Sequence, residues 1–451
     1  MGCLFRIHCG LFAKPKAGIM HCKKITLIFV TFSFLLALAG CSLHTNPQPG
    51  QSDRNNPEYL YAAEFLYGFF IFPDSLPKDT FGFASAQALY KSVNERWTLY
   101  FPPDSAKLFL NFLTTNTGGM GIQLDSVKNG YEIMNVFANS PAQTAGLMKG
   151  DTIDSINGVS VAGVSYDTLS KRAEGNIGDK KRLSILGAGG SVTITVTLGT
   201  FLAPSVFTDS LDSTTAYIYL SIFLSQTDLP GGTTEELDSA LAQTRWAQHT
   251  ILDLRGNPGG DLDQCVNVCG RFVPNKTAII RIHENLQDTV RYTISVVDTV
   301  LVSSFQGATL SRSFVELVDS NTASAAEILT SCLMSNRPDI KTVGTKTFGK
   351  ARGQVLSSTP DSALVKVTYA LLKPITGAPY DLVGIVPDIS VPPDSDALVV
   401  AEALIGQSAG AAKRLAAVPQ AIPRGKINAL RKEYGHSGVI PMAFKRVHFR
   451  L

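Results

Sequence analysis

Residues 201–395 repeat one order, a short apolar strand followed by a helix, and this repetition limits the possible folds more than any other feature of the chain. Strands are predicted by alternating or continuous apolar runs, and helices by apolar residues spaced three and four apart. The predicted elements are the strands Ala216–Leu220, Thr250–Leu254 and Ser313–Val318 and the helices Glu235–Thr244, Leu262–Phe272 and Ala323–Met334. Such alternation favours an α/β core with a largely parallel sheet.

The rest of the chain divides around this core. Residues 57–115 predict an N-terminal helical cap, since Tyr59–Phe72 is dense in aromatics and reads as a helix and Ser85–Trp97 has helical spacing. Residues 116–200 are rich in glycine turns and alternating strands, which predicts a separate β-rich domain inserted before the core. We expect the core itself to end near Gly384–Ile389, at about residue 395, with a basic tail over 396–451.

The N-terminus has the pattern of a targeting segment over residues 1–40. Lys23 and Lys24 precede an apolar run that ends Leu-Ala-Gly-Cys at Cys41, and Met20 is the expected true start. This ending resembles a bacterial lipobox, which implies a lipidated Cys41, followed by a polar tether over 41–56. An ordinary signal peptide with an incidental cysteine is the alternative.

Charge gives no indication of nucleic-acid binding. Outside the signal region, which holds five basic residues, the chain contains 35 Lys and Arg and 37 Asp and Glu. Residues 411–451 are the exception, since this segment contains nine basic residues and one acidic residue, Glu433. This segment is interpreted either as a solvated tail or as a contact with an anionic membrane surface.

Three cysteines lie in the predicted core, at Cys265, Cys269 and Cys332. The first two are four residues apart on a predicted helix, and no second pair completes a zinc site. We interpret all three as small core residues, with a disulfide as the alternative in an oxidising compartment.

The β-rich region carries three motifs that resemble a PDZ domain. They are the loop Gly119-Met120-Gly121-Ile122, the turn Ser140–Leu147 and the segment Gly150–Gly158. Glycines let backbone N–H groups converge on an anion, and the adjoining strand edge can add an extended peptide. The resemblance implies that Gly119, Met120, Gly121 and Ile122 bind a peptide C-terminus. A small β-domain whose glycines serve only turns is the alternative.

The strand Thr250–Leu254 runs into a glycine turn that suits acyl transfer. Gly259 and Gly260 lack side chains, so their N–H groups can approach a substrate carbonyl closely. With the N–H of Ala325, at the start of the next helix, they would form an oxyanion hole. A plain strand-to-helix turn is the alternative.

Ser324, Lys350 and Gln354 follow in the layout of a Ser–Lys hydrolase. Ser324 sits at the start of an apolar helix, and a lysine can activate its hydroxyl only when burial keeps the amine neutral. Ser324 with Glu327 also fits a capping box, in which the serine only caps the helix. Lys350 alone could be a surface lysine in a turn.

Together these motifs resemble the C-terminal processing (tail-specific) serine proteases, over roughly residues 57–395. The resemblance implies a crotonase/ClpP-like core, with Ser324 as nucleophile, Lys350 as general base and Gln354 orienting the lysine. Departures from the family pattern at the serine motif and at the lysine motif concern the fine geometry. The usual Ser-Ala-Ser-Ala-Ser-Glu is Thr-Ala-Ser-Ala-Ala-Glu here, the usual Gly-Lys-Gly ends in Ala351, and the interval from serine to lysine is about one residue longer than usual.

We therefore predict a serine endopeptidase that cleaves proteins recruited through unstructured C-terminal tails, without metal or nucleotide cofactor. The implied location is the bacterial cell envelope, with a lipid anchor at Cys41 on the periplasmic side or the outer membrane. A catalytically silent PDZ lipoprotein scaffold is the main alternative. An esterase is less favoured, because small esters need no peptide groove.

Overall fold

The computed structural model describes residues 56–113, 117–137, 139–187, 190–288, 293–305, 307, 309, 311–392, 395–408 and 442–446. All of them belong to the unit Pro47–His448. The predictions for the signal region, Cys41 and nearly all of the tether lie outside the described residues, as does most of the basic segment 411–451.

The described helices are mostly two to four turns long. Within the described residues, none combines the length and the apolar character that crossing a membrane requires. The helices are α1 (Pro57–Phe69), α2 (Ala86–Ser92), α3 (Pro103–Leu113), α4 (Pro141–Thr144), α5 (Tyr166–Ala173), α6 (Gly232–Gln243), α7 (Leu262–Phe272), α8 (Ala325–Asn336) and α9 (Ala397–Ser408), with one 3₁₀ turn at Pro73–Ser75.

The strands form three larger sheets and one isolated pair. They are β1 (Leu99–Phe101), β2 (Thr117–Gly119), β3 (Ile122–Val127), β4 (Gly130–Val136), β5 (Thr152–Ile156), β6 (Val159–Ser160), β7 (Lys180–Gly187), β8 (Gly190–Thr197), β9 (Gly199–Phe201), β10 (Val206–Ser210), β11 (Thr215–Leu220), β12 (His249–Asp253), β13 (Gly259–Asp261), β14 (Ala278–Asp288), β15 (Thr293–Val302), β16 (Ser313–Val318), β17 (Lys341–Gly344), β18 (Arg352–Ser358), β19 (Leu364–Lys373), β20 (Ile389–Ser390) and β21 (Met442–Arg446).

The first sheet is the predicted parallel one, in the order β10-β11-β12-β16-β17-β20. All its pairs are parallel except β10 with β11, and Ile251 of β12 lies opposite Val315 of β16. Strands that are buried on both faces have nearly continuous apolar sequences, and for this reason β11, β12 and β16 could be predicted. The α/β class is confirmed, and the carboxyl ends of β12 and β16 lead directly to the candidate site.

The second sheet was not predicted from the sequence. It runs β13-β21-β18-β19-β14-β15, with β1 added against β19, and its longest pairs are antiparallel. β18 is almost wholly buried, so it lacks the alternation that reveals a half-exposed strand. This sheet carries Gln354.

The inserted β-rich domain contains the third large sheet, β3-β4-β5-β7-β8, with β6 paired to β5. Its own apolar cluster includes Ile133, Ile153, Leu183 and Val196, all fully buried. β2 and β9 pair antiparallel where the chain enters and leaves the domain. β3 ends the sheet, so among the strands that the structure describes one of its edges has no partner within that sheet.

The N-terminal region forms the predicted helices, with shorter bounds than expected. Asn56 caps α1, accepting the N–H groups of Glu58 and Tyr59. The helix predicted over Ser85–Trp97 ends at Ser92, and the chain then turns back to pair β1 with β19. This reversal brings Trp97, which is almost fully buried, towards the candidate site.

The segment predicted as a tail from residue 396 begins as part of the core. In α9, Ala397, Leu398, Ala401 and Ile405 are buried in the same apolar cluster as the parallel sheet. The helix contains only one charged residue, Glu402, so its burial is favourable. The predicted boundary at 395 therefore falls too early, and β21 later in the chain joins the second sheet.

Candidate active site

Ser324 lies where β16 has ended and α8 is about to begin, fully buried. Its backbone has φ 59° and ψ −115°, a left-handed conformation that non-glycine residues rarely adopt. Strained residues of this kind concentrate at functional sites, where surrounding contacts hold them in place.

The turn that carries Ser324 is tied to the loop after β12. The Thr322 hydroxyl donates to the Leu254 carbonyl at 2.9 Å, and the Ala323 N–H donates to the Asn257 carbonyl at 2.9 Å. Two adjacent parallel strands end at the same edge, so their following loops meet there. The serine turn and the glycine turn are thereby held together.

Lys350 brings the three predicted residues into one cluster. Its Nζ lies 3.1 Å from Ser324 Oγ and 2.6 Å from Gln354 Oε1, and it also donates to the Arg352 carbonyl at 3.1 Å. Lys350 is fully buried, so it is not the surface lysine of the alternative interpretation.

The environment of Lys350 disfavours its charged form. Burial lowers the pKa of this amine well below its usual value, and the nearby Lys366 ammonium lowers it further. Glu327, Glu95 and Asp381 oppose these effects more weakly. The centroid of the Trp97 ring lies 5.2 Å from Nζ, and this contact also favours the ammonium, but the effect of full burial is the largest. The site can therefore hold a neutral lysine beside a serine hydroxyl.

Gln354 is held in one orientation. Its Nε2 donates to the Arg352 carbonyl at 3.1 Å and faces Thr368 Oγ1 at 3.4 Å, which turns Oε1 towards Lys350. The Thr368 hydroxyl donates in turn to Glu95 Oε2 at 2.8 Å, so its oxygen is free to accept from Gln354.

Glu327 connects the Ser324 turn with the Lys350 loop, whereas the sequence predicted only a helix-capping role for it. Its carboxylate accepts the N–H groups of Ser324 at 2.9 Å, Gly349 at 2.7 Å and Lys350 at 2.8 Å, and the Thr347 hydroxyl at 2.5 Å. Burial raises the pKa of Glu327, and these four donors oppose that shift. The predicted capping box is present, but the same glutamate also fixes the lysine loop.

The glycine turn differs from the prediction in one respect. The Gly259 N–H donates to the Asn257 side chain at 2.9 Å, so it is already engaged. Gly260 adopts φ 137°, and a Cβ there would lie 2.1 Å from the Phe223 carbonyl oxygen, so only glycine fits. Ala325 is the first residue of α8, where N–H groups have no partner within the helix.

The predicted peptide-binding loop lies at the edge of the third sheet. Met120 is buried, and Gly121 has φ 75° with Ser140 so close that a Cβ would lie 2.3 Å from it. The carbonyls of Met120 and Gly121 accept the N–H groups of Ala142 and Phe137. Ile122 opens β3, the edge strand.

The three core cysteines are buried free thiols. Cys265 lies next to the site, with its Sγ 3.0 Å from the Ala325 carbonyl oxygen. Burial raises the pKa of the Cys269 thiol well above its usual value. The Cys269 thiol is therefore a packing group and not a nucleophile, because an active thiol needs a lowered pKa.

Glu95 and Trp97 also lie in the site, and nothing in the sequence indicated that they would. They lie about 250 residues before Lys350, outside every recognised motif, so no local pattern connects them to it. Glu327, in contrast, stands inside the quoted Thr-Ala-Ser-Ala-Ala-Glu motif, and its place in the predicted capping box is the local signal that points to it.

Two family models match this chain. The model of peptidase family S41 matches residues 214–391, and the PDZ domain model matches residues 111–186. The two matches cover the core with Ser324 and Lys350 and the β-rich domain with Gly121. The predicted combination of a protease core and a PDZ domain is thereby confirmed.

Curated relatives lead to the same family. The chain is 31% identical over 320 residues to the carboxyl-terminal-processing protease of Synechocystis, covering 68% of this chain and 70% of that protein. It is 27% identical over 288 residues to the carboxy-terminal processing protease CtpA of Bacillus subtilis, covering 63% of this chain and 58% of that protein. The chain thus spans between half and three quarters of these relatives' lengths.

A solved structure supports the fold. A Bacteroides fragilis protein assigned to the S41 proteases aligns with a TM-score of 0.52 and 18% identity, covering 78% of this chain and 97% of its own. At this identity the likeness concerns the fold alone.

Proposed function

The chain belongs to peptidase family S41, and from this membership we propose that it is a serine endopeptidase of the C-terminal processing type. One observation carries the proposal: Lys350 Nζ lies 3.1 Å from Ser324 Oγ in a fully buried setting that lowers the pKa of the amine. A neutral amine at hydrogen-bond distance is what a serine hydroxyl needs to become a nucleophile.

In the first half of the reaction, Lys350 takes the proton of the Ser324 hydroxyl as its oxygen attacks a peptide carbonyl. Gln354 Oε1, 2.6 Å from Nζ, holds the amine and stabilises it once it is protonated. The carbonyl oxygen becomes an oxyanion, which the N–H groups of Gly260 and Ala325 receive. One such donor contributes about 3–4 kcal/mol where this has been measured by mutation.

In the second half, the C–N bond breaks, the Lys350 ammonium gives its proton to the leaving amine, and the C-terminal fragment departs with that amine. The shortened protein stays esterified to Ser324 as the acyl-enzyme. The lysine is then neutral again and can take a proton from water as the water attacks the ester. The ester C–O bond then breaks, Lys350 returns the proton to Ser324 Oγ, and the shortened protein departs with a new carboxyl group, so both residues are back in their starting states.

The PDZ domain selects substrate proteins by binding their C-terminal tails. The loop of Gly119, Met120, Gly121 and Ile122 adjoins the edge strand β3, where an extended peptide can add as a further strand. We assign to this loop the capture of a substrate's C-terminal carboxylate. Proteins with unstructured C-terminal tails are therefore the proposed substrates.

The cell envelope is the proposed location. The lipobox-like sequence before Cys41 supports a lipid anchor there, on the periplasmic side or the outer membrane. A lipid on Cys41 would place the protease beside exported proteins, whose tails are accessible while they fold.

The test compares the chain without residues 1–41 in four forms: unchanged, Ser324→Ala, Lys350→Ala and Ser331→Ala. The substrate is an unfolded protein with an apolar C-terminus. Ser331 lies in the same helix, buried, and its hydroxyl donates to the Ile328 carbonyl, so it is a matched serine control. Cleavage by the unchanged and Ser331→Ala forms alone supports the proposal. Tail binding by all forms without cleavage by any would instead leave a peptide-binding scaffold.

A further inference from the structure

The chain contributes a strand of its own to the space between the two halves of the candidate active site. β21, Met442–Arg446, lies between β13 and β18 in the second sheet and pairs parallel with both. β13 belongs to the glycine turn, and β18 follows Lys350 and contains Gln354. β21 begins 84 residues after the end of β18 and still farther after β13, and it separates the two strands.

The register puts the backbone of β21 against the residues proposed for catalysis. Met442 and Ala443 lie opposite Gly259 and Gly260, and Phe444 lies opposite Gln354. The Gln354 side chain contacts Lys350 Nζ, which in turn contacts Ser324 Oγ. The strand therefore runs past both the proposed oxyanion donors and the proposed base.

A strand in this position is held by backbone groups on both sides. Such pairing depends little on the identity of the side chains, so an extended segment of another protein could form the same bonds. The absence of side chains on Gly259 and Gly260 lets any such backbone come close. Two segments cannot occupy one strand position at once, so β21 and a substrate exclude each other.

We propose that β21 is an internal peptide ligand of the active-site groove, which occupies the strand position of an extended substrate and competes with it. This inference rests on the proposed function, because it identifies the groove as the place where substrate binds. The chain thereby limits its own activity, and the groove binds an extended peptide that runs parallel to β13 and β18.

The experiment measures binding and not cleavage, in chains that carry Ser324→Ala. The probe is a fluorescent peptide with the sequence of residues 441–448, amidated at its C-terminus so that the PDZ domain has no carboxylate to capture. One chain also carries Ala443→Pro and Phe444→Pro, which remove two N–H donors from the strand. The matched control carries Ala443→Val, which keeps the N–H and suits a strand.

We expect the proline chain to bind the probe more tightly than the control. If β21 fills the groove nine-tenths of the time, its release lowers the apparent Kd about tenfold. Equal Kd values for the proline chain and the control would overturn the proposal.

If the proline chain does not fold, hydrogen exchange on the Ser324→Ala chain with an unaltered β21 tests the proposal. A saturating concentration of the unlabelled probe should accelerate amide exchange in residues 442–446, because the strand is displaced. Unchanged protection at saturation would identify β21 as a permanent strand and overturn the proposal. Both readouts are independent of cleavage, so a chain that proves inactive as a protease still gives a decisive answer about β21.

Discussion

The carboxylate of Glu327 accepts the backbone N–H of Lys350 at 2.8 Å, although the two residues are 23 positions apart. The same oxygen, Oε2, accepts the N–H of Ser324 at 2.9 Å. The proposed nucleophile and base are thus positioned through one shared acceptor, in addition to their direct contact. This arrangement makes Glu327 a positioning residue for the pair.

Replacing Glu327 should impair both stability and turnover. Glu327→Ala leaves three N–H groups and one hydroxyl without their acceptor, and we expect a loss of about 3 kcal/mol or more in unfolding free energy. Denaturant titration measures this loss. Glu327→Gln keeps the shape but turns an amide NH2 group towards two of these donors, so it should lose part of the stability, and kcat should fall as well. A Glu327→Ala chain as stable as the parent would contradict the proposed role.

Replacing Gln354 by glutamate should shift the pH dependence of cleavage. A carboxylate 2.6 Å from Lys350 Nζ would stabilise the ammonium and raise the pKa of the lysine. Because the neutral amine is the proposed base, the acidic limb of the kcat/KM profile should move to higher pH. Gln354→Ala is the control, since it removes the contact without adding charge. An acidic limb in the same place for Gln354→Glu and the unchanged chain would argue against Lys350 as the base.

Replacing Lys366 by methionine should stabilise the protein at neutral pH. Lys366 is fully buried, its Nζ has no hydrogen-bond partner among the described residues, and burial lowers its pKa to about 8. Below pH 8 the folded protein holds an unpaired buried charge, so we expect Lys366→Met to gain roughly 2–3 kcal/mol. Loss of the contacts to the rings of Phe101 and Phe109 offsets part of this gain.

The pH dependence of this gain tests its cause. The unfolded chain binds the Lys366 proton up to about pH 10.5 and the folded chain only up to about pH 8. The stability of the unchanged chain therefore rises over that interval, and the advantage of Lys366→Met should shrink there. Denaturant titrations at pH 7 and pH 9.5 measure the difference. An advantage of equal size at both values would exclude the buried charge as its source.

Glu316 gives the opposite pH dependence. This fully buried carboxyl contacts the hydroxyls of Thr330 at 3.0 Å and Thr342 at 3.1 Å, and burial raises its pKa to about 8. The Thr330 hydroxyl also faces the Ala326 carbonyl, so a protonated Glu316 can donate to it.

The folded chain holds this proton between about pH 4.5 and pH 8, where the unfolded chain has lost it, so stability falls as pH rises through that window. Glu316→Gln keeps a donor and an acceptor but does not titrate. We expect its unfolding free energy to decline less than that of the unchanged chain between pH 5 and pH 8.5. Parallel declines in the two chains would assign the pH dependence to other groups.

The sequence revealed the parts of the structure that depend on neighbours in the chain. The strand Thr250–Leu254, the helix Leu262–Phe272 and the Ser324 turn each carry a local signal, and the structure has them within one or two residues of the predicted bounds. Ser324, Lys350 and Gln354 were predicted as a group because each stands in a recognisable motif.

The second sheet and the walls of the site could not be predicted in this way. β18 pairs with β19 and β21, and no period in the sequence encodes which distant strand will lie beside it. Glu95 reaches Thr368 across 273 residues, and Trp97 stands beside Lys350 only after β1 has paired with β19. Gly259 was expected to be an open donor, but the nearby Asn257 side chain engages its N–H.

The division of the site between two sheets has a consequence for the life of the newly made protein. Ser324 follows β16 of the parallel sheet, whereas Gln354 lies in β18 of the other, and Lys350 meets both only when the two sheets are in place. Before that, the lysine is hydrated and charged, and the serine has no base. A half-folded chain therefore lacks the contact between Ser324 and Lys350, and under the proposed function it cannot attack neighbouring polypeptides before both sheets have formed.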